Sequence, residues 1–111
     1  MDAKAAEALE KSIKHWEDNA GDDPKKWSVG ASKCALCDLY YEDFCRGCPV
    51  RMRTGITNCA GTPYRKAVRL LSYYHISGYC LVEASDAATA FRAAARAELD
   101  FLISLREPSG R

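Results

Sequence analysis

The sequence has little histidine, little proline and no long apolar run. Its 111 residues include two His and four Pro. The histidines, His15 and His75, are sixty positions apart, and there is no HExxH pair, Walker loop or dinucleotide fingerprint, which removes the commonest metalloprotease, nucleotide-hydrolase and dehydrogenase signatures. No segment approaches the ~18 to 20 apolar residues of a membrane-spanning helix. Residues 1–20 carry charge throughout and lack an apolar middle, so they read as a helix and not as a secretory leader. A dominant charge sign is missing too: 16 Lys+Arg face 15 Asp+Glu, and 48% of residues are hydrophobic. That balance excludes an intrinsically disordered chain. What remains is a single domain over residues 1–111. A domain of this size buries little more than ~60% of its unfolded surface, so it gains from a staple.

The net charge of +1 conceals a division. Residues 1–23 carry −4, residues 24–74 carry +6 and residues 75–111 carry −1. The basic middle is also where the cysteines sit. It is a mild basic patch, not a polyanion-binding tail.

The spacing predicts a mainly α protein of about three helices. In residues 3–20, Ala6, Leu9, Ile13, Trp16 and Ala20 recur at three and four, the apolar face of a helix. Gly21 and Pro24 stop it. Residues 25–61 show neither helical nor strand periodicity and read as an irregular Cys-rich loop. Thr62 caps and Pro63 opens a second helix over residues 63–77, with Ala67, Leu70, Leu71 and Tyr74 inward. Ser85 or Asp86 would cap a third, over residues 86–106, with the stripe Ala88, Phe91, Ala95, Leu99, Leu102 and Leu105. Its Ala-rich first half favours helix.

Six cysteines are the strongest feature. Cys34-Ala35-Leu36-Cys37 and Cys45-Arg46-Gly47-Cys48 are two C-x2-C knuckles seven residues apart. A tight turn with two intervening residues aims both sulfurs at one point, and its backbone N–H groups can stabilise the thiolates. Two such turns make a tetrahedral four-sulfur site, the chemistry of structural zinc. Gly47 suits a turn with positive φ, and Pro49 ends the second knuckle. Cys59 is a fifth thiol within reach, so the ligands are four among Cys34, Cys37, Cys45, Cys48 and Cys59. The gap between knuckles is shorter than in common zinc ribbons. Cys48-Pro49 is a pairing also found in ferredoxin cluster motifs, and a [4Fe–4S] cluster is the alternative cofactor. Three disulfides are disfavoured without a secretory segment. Cys80, within Tyr79-Cys80-Leu81-Val82, reads as a buried inert thiol.

The string Cys34-x2-Cys37, Cys45-x2-Cys48-Pro49, Cys59-x-Gly61-Thr62-Pro63-Tyr64 resembles a family of small Cys-rich proteins of bacteriophages and bacteria. The likeness extends to the helix around Ser12-Ile13-Lys14-His15-Trp16 and to the segment from Glu98 to Leu105. The resemblance implies a metal site and a phage or prophage setting, and brings no activity with it.

Other features have plainer readings. Each histidine is a satisfied surface or core-edge residue, because the knuckles already supply four ligands. A Cys59–His75 nucleophile pair has no third residue to orient it. The Gly61-Thr62-Pro63 helix start could receive an anion, but a capped helix explains it as well. Glu17, Asp18, Asp22 and Asp23 lack the spacing of a calcium loop. The candidate binding residues are Arg46, Arg51 and Arg53 with Tyr40 and Tyr41, while the plainer reading of Tyr40, Tyr41 and Phe44 is a small core closed over the metal. The expected function is thus non-catalytic: a cytoplasmic, zinc-stapled interaction module that binds a protein, without a membrane role. Aromatics among arginines also suit a zinc-knuckle nucleic-acid adaptor.

Overall fold

A computed structural model describes residues 2–30, 34–40, 46–55, 62–76 and 81–106. Among them the chain is helix and turn, in the order α1 (Ala3–Ala20), a single 3₁₀ turn (Pro24–Lys26), α2 (Ala35–Tyr40), α3 (Pro49–Thr54), α4 (Tyr64–Ile76) and α5 (Leu81–Ile103). The mainly α expectation holds. Two short helices lie inside the segment read as irregular loop. Each has six residues, too few to show a periodicity and too few to form without outside support.

Helix α1 starts where Asp2 Oδ1 accepts the N–H of Ala5 at 2.8 Å, an N-cap bond. It ends at Gly21, whose N–H reaches Asp18 O. The return is clamped by Asn19, fully buried on the last turn. Its Nδ2 donates to Ser28 O and its Oδ1 accepts from Ser28 N, both at 3.0 Å. One side chain thereby satisfies both backbone groups of a loop residue, as a neighbouring strand would. Trp27 Nε1 donates to Gly21 O at 3.1 Å. Its ring is thus delivered into the core against Phe91, with centroids 5.0 Å apart.

The core lies between the three long helices, with α5 packed on both α1 and α4. Leu9, Ile13 and Trp16 meet Ala67 and Leu71 of α4 and Phe91, Ala95, Leu99 and Leu102 of α5. Small Ala residues at 67, 94 and 95 let the helices approach, and Phe91, with no exposed surface, fills the centre. Leu36 of α2 and Val50 of α3 are buried in the same cluster and fasten the two short helices to the bundle, with Ala35 and Tyr40 of α2 packed against it.

Three boundaries or faces differ from the sequence reading. Helix α5 begins at Leu81, so Ser85 and Asp86 are exposed helical residues and not caps. Exposure lets such side chains turn to water without competing for the backbone. Helix α4 spans one residue less at each end than 63–77, and Thr62 Oγ1 does accept the N–H of Tyr64, at 3.2 Å. On α1 the inward face is rotated from that expected: Ala6 is exposed, and Ala5, Ala8, Ser12 and Asn19 are buried.

Candidate metal centre

Cys34 stands just ahead of α2, where its carbonyl accepts the N–H of Asp38 at 3.1 Å and closes the first turn. That turn brings the backbone N–H of Cys37 to Cys34 Sγ at 3.3 Å. The C-x2-C turn therefore has the expected knuckle form: one sulfur accepts a main-chain donor, and the other sits beside it. The Cys34 thiol is lowered to about 7, first by the hydrogen bond from the Cys37 side chain, then by the N–H groups of Cys37 and Leu36, while burial opposes the shift. Ser12, buried on α1, also favours the thiolate, although its Oγ completes no hydrogen bond of regular geometry. Cys34 is half-buried and carries a thiol ready to ionise near neutrality.

Opposite lies Glu98 of α5, a carboxyl with 2% of its surface exposed. Its pKa is pushed up to about 8, chiefly by burial and further by the Cys34 charge, while a hydrogen bond with Thr62 opposes the rise. Its Oε1 has no partner. Glu98 and Ser12 are site residues that the sequence reading missed. The signal was present, because each occupies a stripe position at helical spacing: Ala5, Leu9, Ser12 and Trp16 on α1, and Phe91, Ala95, Glu98 and Leu102 on α5.

Cys48 is the N-cap of α3 and only 6% exposed. It follows Gly47, whose φ of +81° is the left-handed conformation expected of the second knuckle. The Tyr40 ring lies over this turn, so a Cβ at Gly47 would stand 3.4 Å from Tyr40 Cε1. Cys34, Cys37 and Cys48 stand as thiols and not disulfides. Among the described residues no three His, Cys, Asp or Glu side chains form a metal-ligating group, so Cys48 is not gathered with Cys34 and Cys37. The expected ligands Cys45 and Cys59, and with them Tyr41, Phe44 and Cys80, lie outside the described residues.

The three arginines part company. Arg46 is exposed, Arg51 is half-buried, and Arg53 is occupied. Its guanidinium donates to Ser104 O at 3.2 Å and reaches Ser104 Oγ at 3.4 Å, tying α3 to the end of α5. Beside them Met52 is 76% exposed. Asp2, Tyr40, Gly47, Met52 and Arg53 line an open cleft at this end of the molecule.

The histidines take the plain readings. His15 Nε2 lies 2.8 Å from Ser28 O and 3.0 Å from Ser28 Oγ. A carbonyl only accepts, so Nε2 carries the proton and cannot take one from the Ser28 hydroxyl. The pair is a structural tie, not a nucleophile with its base. His75 is exposed near the end of α4. No described helix is long and apolar enough to cross a membrane. No family model, curated protein or solved structure matches the chain.

Proposed function

We propose that the chain is a non-catalytic metal-binding interaction protein whose metal, zinc, is structural. The observation that carries this reading is the Cys34–Cys37 turn, with a main-chain N–H on the Cys34 sulfur and Cys34 packed at the edge of the core. The donor chemistry fits a thiophilic cation. A thiol lowered to about 7 loses its proton readily to a metal, and unpartnered polar atoms at Ser12 and Glu98 adjoin it. Cys34 and Cys37 form the anchored half of the site, and Cys45, Cys48 and Cys59 are the source of the other sulfurs. When bound, the metal would supply folding free energy to a segment that α2 and α3 attach to the core through few side chains, Leu36 and Val50 foremost.

Function then lies in what the stapled segment presents. Arg46 and Met52 are exposed beside the cleft at Tyr40 and Gly47, a basic and apolar surface suited to a protein partner. Arg53 contributes by holding α3 in place. The cytoplasm of a bacterium, with a phage or prophage origin, is the setting this proposal adopts, and a host protein is the partner.

The experiment is metal analysis by mass spectrometry with an absorption spectrum, on protein purified without oxygen. About one zinc per chain and a featureless visible spectrum are expected. Iron with sulfide and a broad band near 400 nm would replace the structural zinc by a cluster. Absence of both metals would overturn the proposal.

A further inference from the structure

Cys34 and Cys37 bracket the first turn of α2, which the Cys34 carbonyl closes by accepting the N–H of Asp38 at 3.1 Å. Residues three apart across a helical turn have Cα atoms ~5 Å from each other, inside the ~4.4–6.8 Å that a disulfide spans. Cys34 precedes α2, so its torsions are not held to helical values and its side chain can lean over the turn. It does so: Cys34 Sγ accepts the N–H of Cys37 at 3.3 Å, and the Cys37 side chain hydrogen-bonds the same sulfur. Both residues are thiols, and both are half-buried, with surface still open to a small reagent. Cys48 is buried and joins no cluster with them among the described residues. A backbone turn thus holds two accessible thiols side by side.

We infer that Cys34 and Cys37 form a reversible intramolecular disulfide by exchange with small-molecule disulfides, which makes this turn a redox modification site. The Cys34 sulfur, its proton passed to water, attacks one sulfur of a disulfide RSSR. The main-chain N–H at Cys34 Sγ favours the negative charge there. The S–S bond of RSSR breaks, one RS⁻ leaves and takes up a proton, and Cys34 becomes a mixed disulfide. The Cys37 sulfur then attacks Cys34 Sγ and releases the second RS⁻, which takes the Cys37 proton. Two thiols are oxidised to one disulfide, and RSSR is reduced to two RSH. In a reducing compartment such a bond is transient, where a structural disulfide would be rare. It closes a ring over the first turn of α2, a helix of six residues. The bond requires no metal; on the metal-binding reading above, zinc and the disulfide compete for the same two sulfurs.

The test equilibrates the full chain with mixtures of reduced and oxidised glutathione in chelator, quenches it with iodoacetamide and cleaves it before aspartate. The fragment covering residues 23–37 then holds Cys34 and Cys37 and no other cysteine. In reduced glutathione it should carry two alkyl groups. As the oxidised form rises, it should lose both and weigh two hydrogen atoms less than the dithiol fragment, and excess reduced glutathione should reverse the change. Helical circular dichroism should be kept throughout. Cys37→Ser, which lacks the second thiol, should instead hold one glutathione on Cys34, an adduct that does not accumulate in the wild type. A wild-type fragment that stays doubly alkylated in oxidised glutathione alone overturns the inference. So do glutathione adducts on the wild-type sulfurs without a ring, a bond from either residue to another cysteine, and a ring that forms only with loss of the helical signal. If Cys37→Ser does not fold, the wild-type fragment decides alone.

Discussion

The backbone N–H of Cys37 points at Cys34 Sγ from 3.3 Å, and together with the hydrogen bond from the Cys37 side chain, the larger cause, it lowers the Cys34 thiol to about 7. In metal-free protein Cys34 should therefore be alkylated by iodoacetamide with a half-maximal rate near pH 7, against about 8.5 for an ordinary thiol. Cys37→Ala removes the side-chain hydrogen bond, the largest cause of the shift, and should move that midpoint up by about one pH unit or more. Saturating zinc should protect both residues. A Cys34 midpoint unchanged in Cys37→Ala would show that the neighbouring thiol does not set its acidity. Peptide mapping of the alkylated chain reads all three outcomes.

Glu98 gives the metal-free protein a pH dependence whose sign follows from its burial. Its folded pKa of about 8 lies above the ordinary 4.5, so the folded state keeps a proton that the unfolded state releases. The resulting stability is fully present below about pH 4.5 and is lost as pH rises through about 8. Cys34, lowered to about 7 from 9, works in the other direction between those two values. Its contribution is present above pH 9 and lost as pH falls through 7. Glu98→Gln carries no ionisable proton. It should match the wild type near pH 5 and exceed it by at least ~1 kcal/mol at pH 8 in chelator, measured by urea unfolding. A Glu98→Gln chain no more stable than the wild type at pH 8 would show that the buried carboxyl does not carry this proton.

Asn19 makes two hydrogen bonds to Ser28, each at 3.0 Å, and has no exposed surface. Asn19→Ala would leave the Ser28 N–H unpaired, take one of two donors from Ser28 O, which keeps His15 Nε2, and open a small void. The expected cost is about 2–3 kcal/mol. Asn19→Asp keeps the acceptor toward Ser28 N but sets a carboxylate against Ser28 O, so it should be destabilising as well. Phe91→Ala supplies the scale, at about 3–5 kcal/mol for a fully buried ring. Thermal unfolding of the three variants should rank Phe91→Ala worst. An Asn19→Ala within ~0.5 kcal/mol of wild type would mean that the clamp does not hold the turn.

The long helices were legible because each repeats its apolar residues over about three turns or more, enough to fix an inward face. Helix α1 ran over residues 3–20 as expected. The buried polar residues were not legible, although they obey the same spacing. Ser12, Asn19 and Glu98 occupy stripe positions, but apolarity was the criterion, and a polar residue on a stripe gains its meaning only from what faces it. Asn19 needs Ser28, brought to it by the reversal at Gly21. Glu98 needs Thr62 and Cys34, from two other segments. The short helices were hidden for a different reason. Leu36 and Val50 fasten them to a core built elsewhere in the chain, and six residues carry no periodicity that could announce it. Arg53 looked like a recognition residue because its spacing says nothing of Ser104, fifty-one positions away.

Gly47 offers the last test, because it separates the second knuckle from the bundle. Its φ of +81° is a conformation that L side chains adopt at a cost of about 1–2 kcal/mol. An added Cβ would also press on Tyr40 Cε1 at 3.4 Å. The turn sets the approach of Cys48, and Tyr40 covers it, so Gly47→Ala should reach the metal through geometry and not through the core. Cooperative unfolding of the three-helix core should survive, shifted down by about 1–2 kcal/mol. Zinc affinity should fall by about tenfold or more if a sulfur of this turn is a ligand. Tyr40→Phe, which keeps the ring over Gly47 and removes only the hydroxyl, should change zinc affinity little. Equal affinity in Gly47→Ala and wild type would place the second knuckle outside the metal shell and leave Cys59 to take its part beside Cys34 and Cys37.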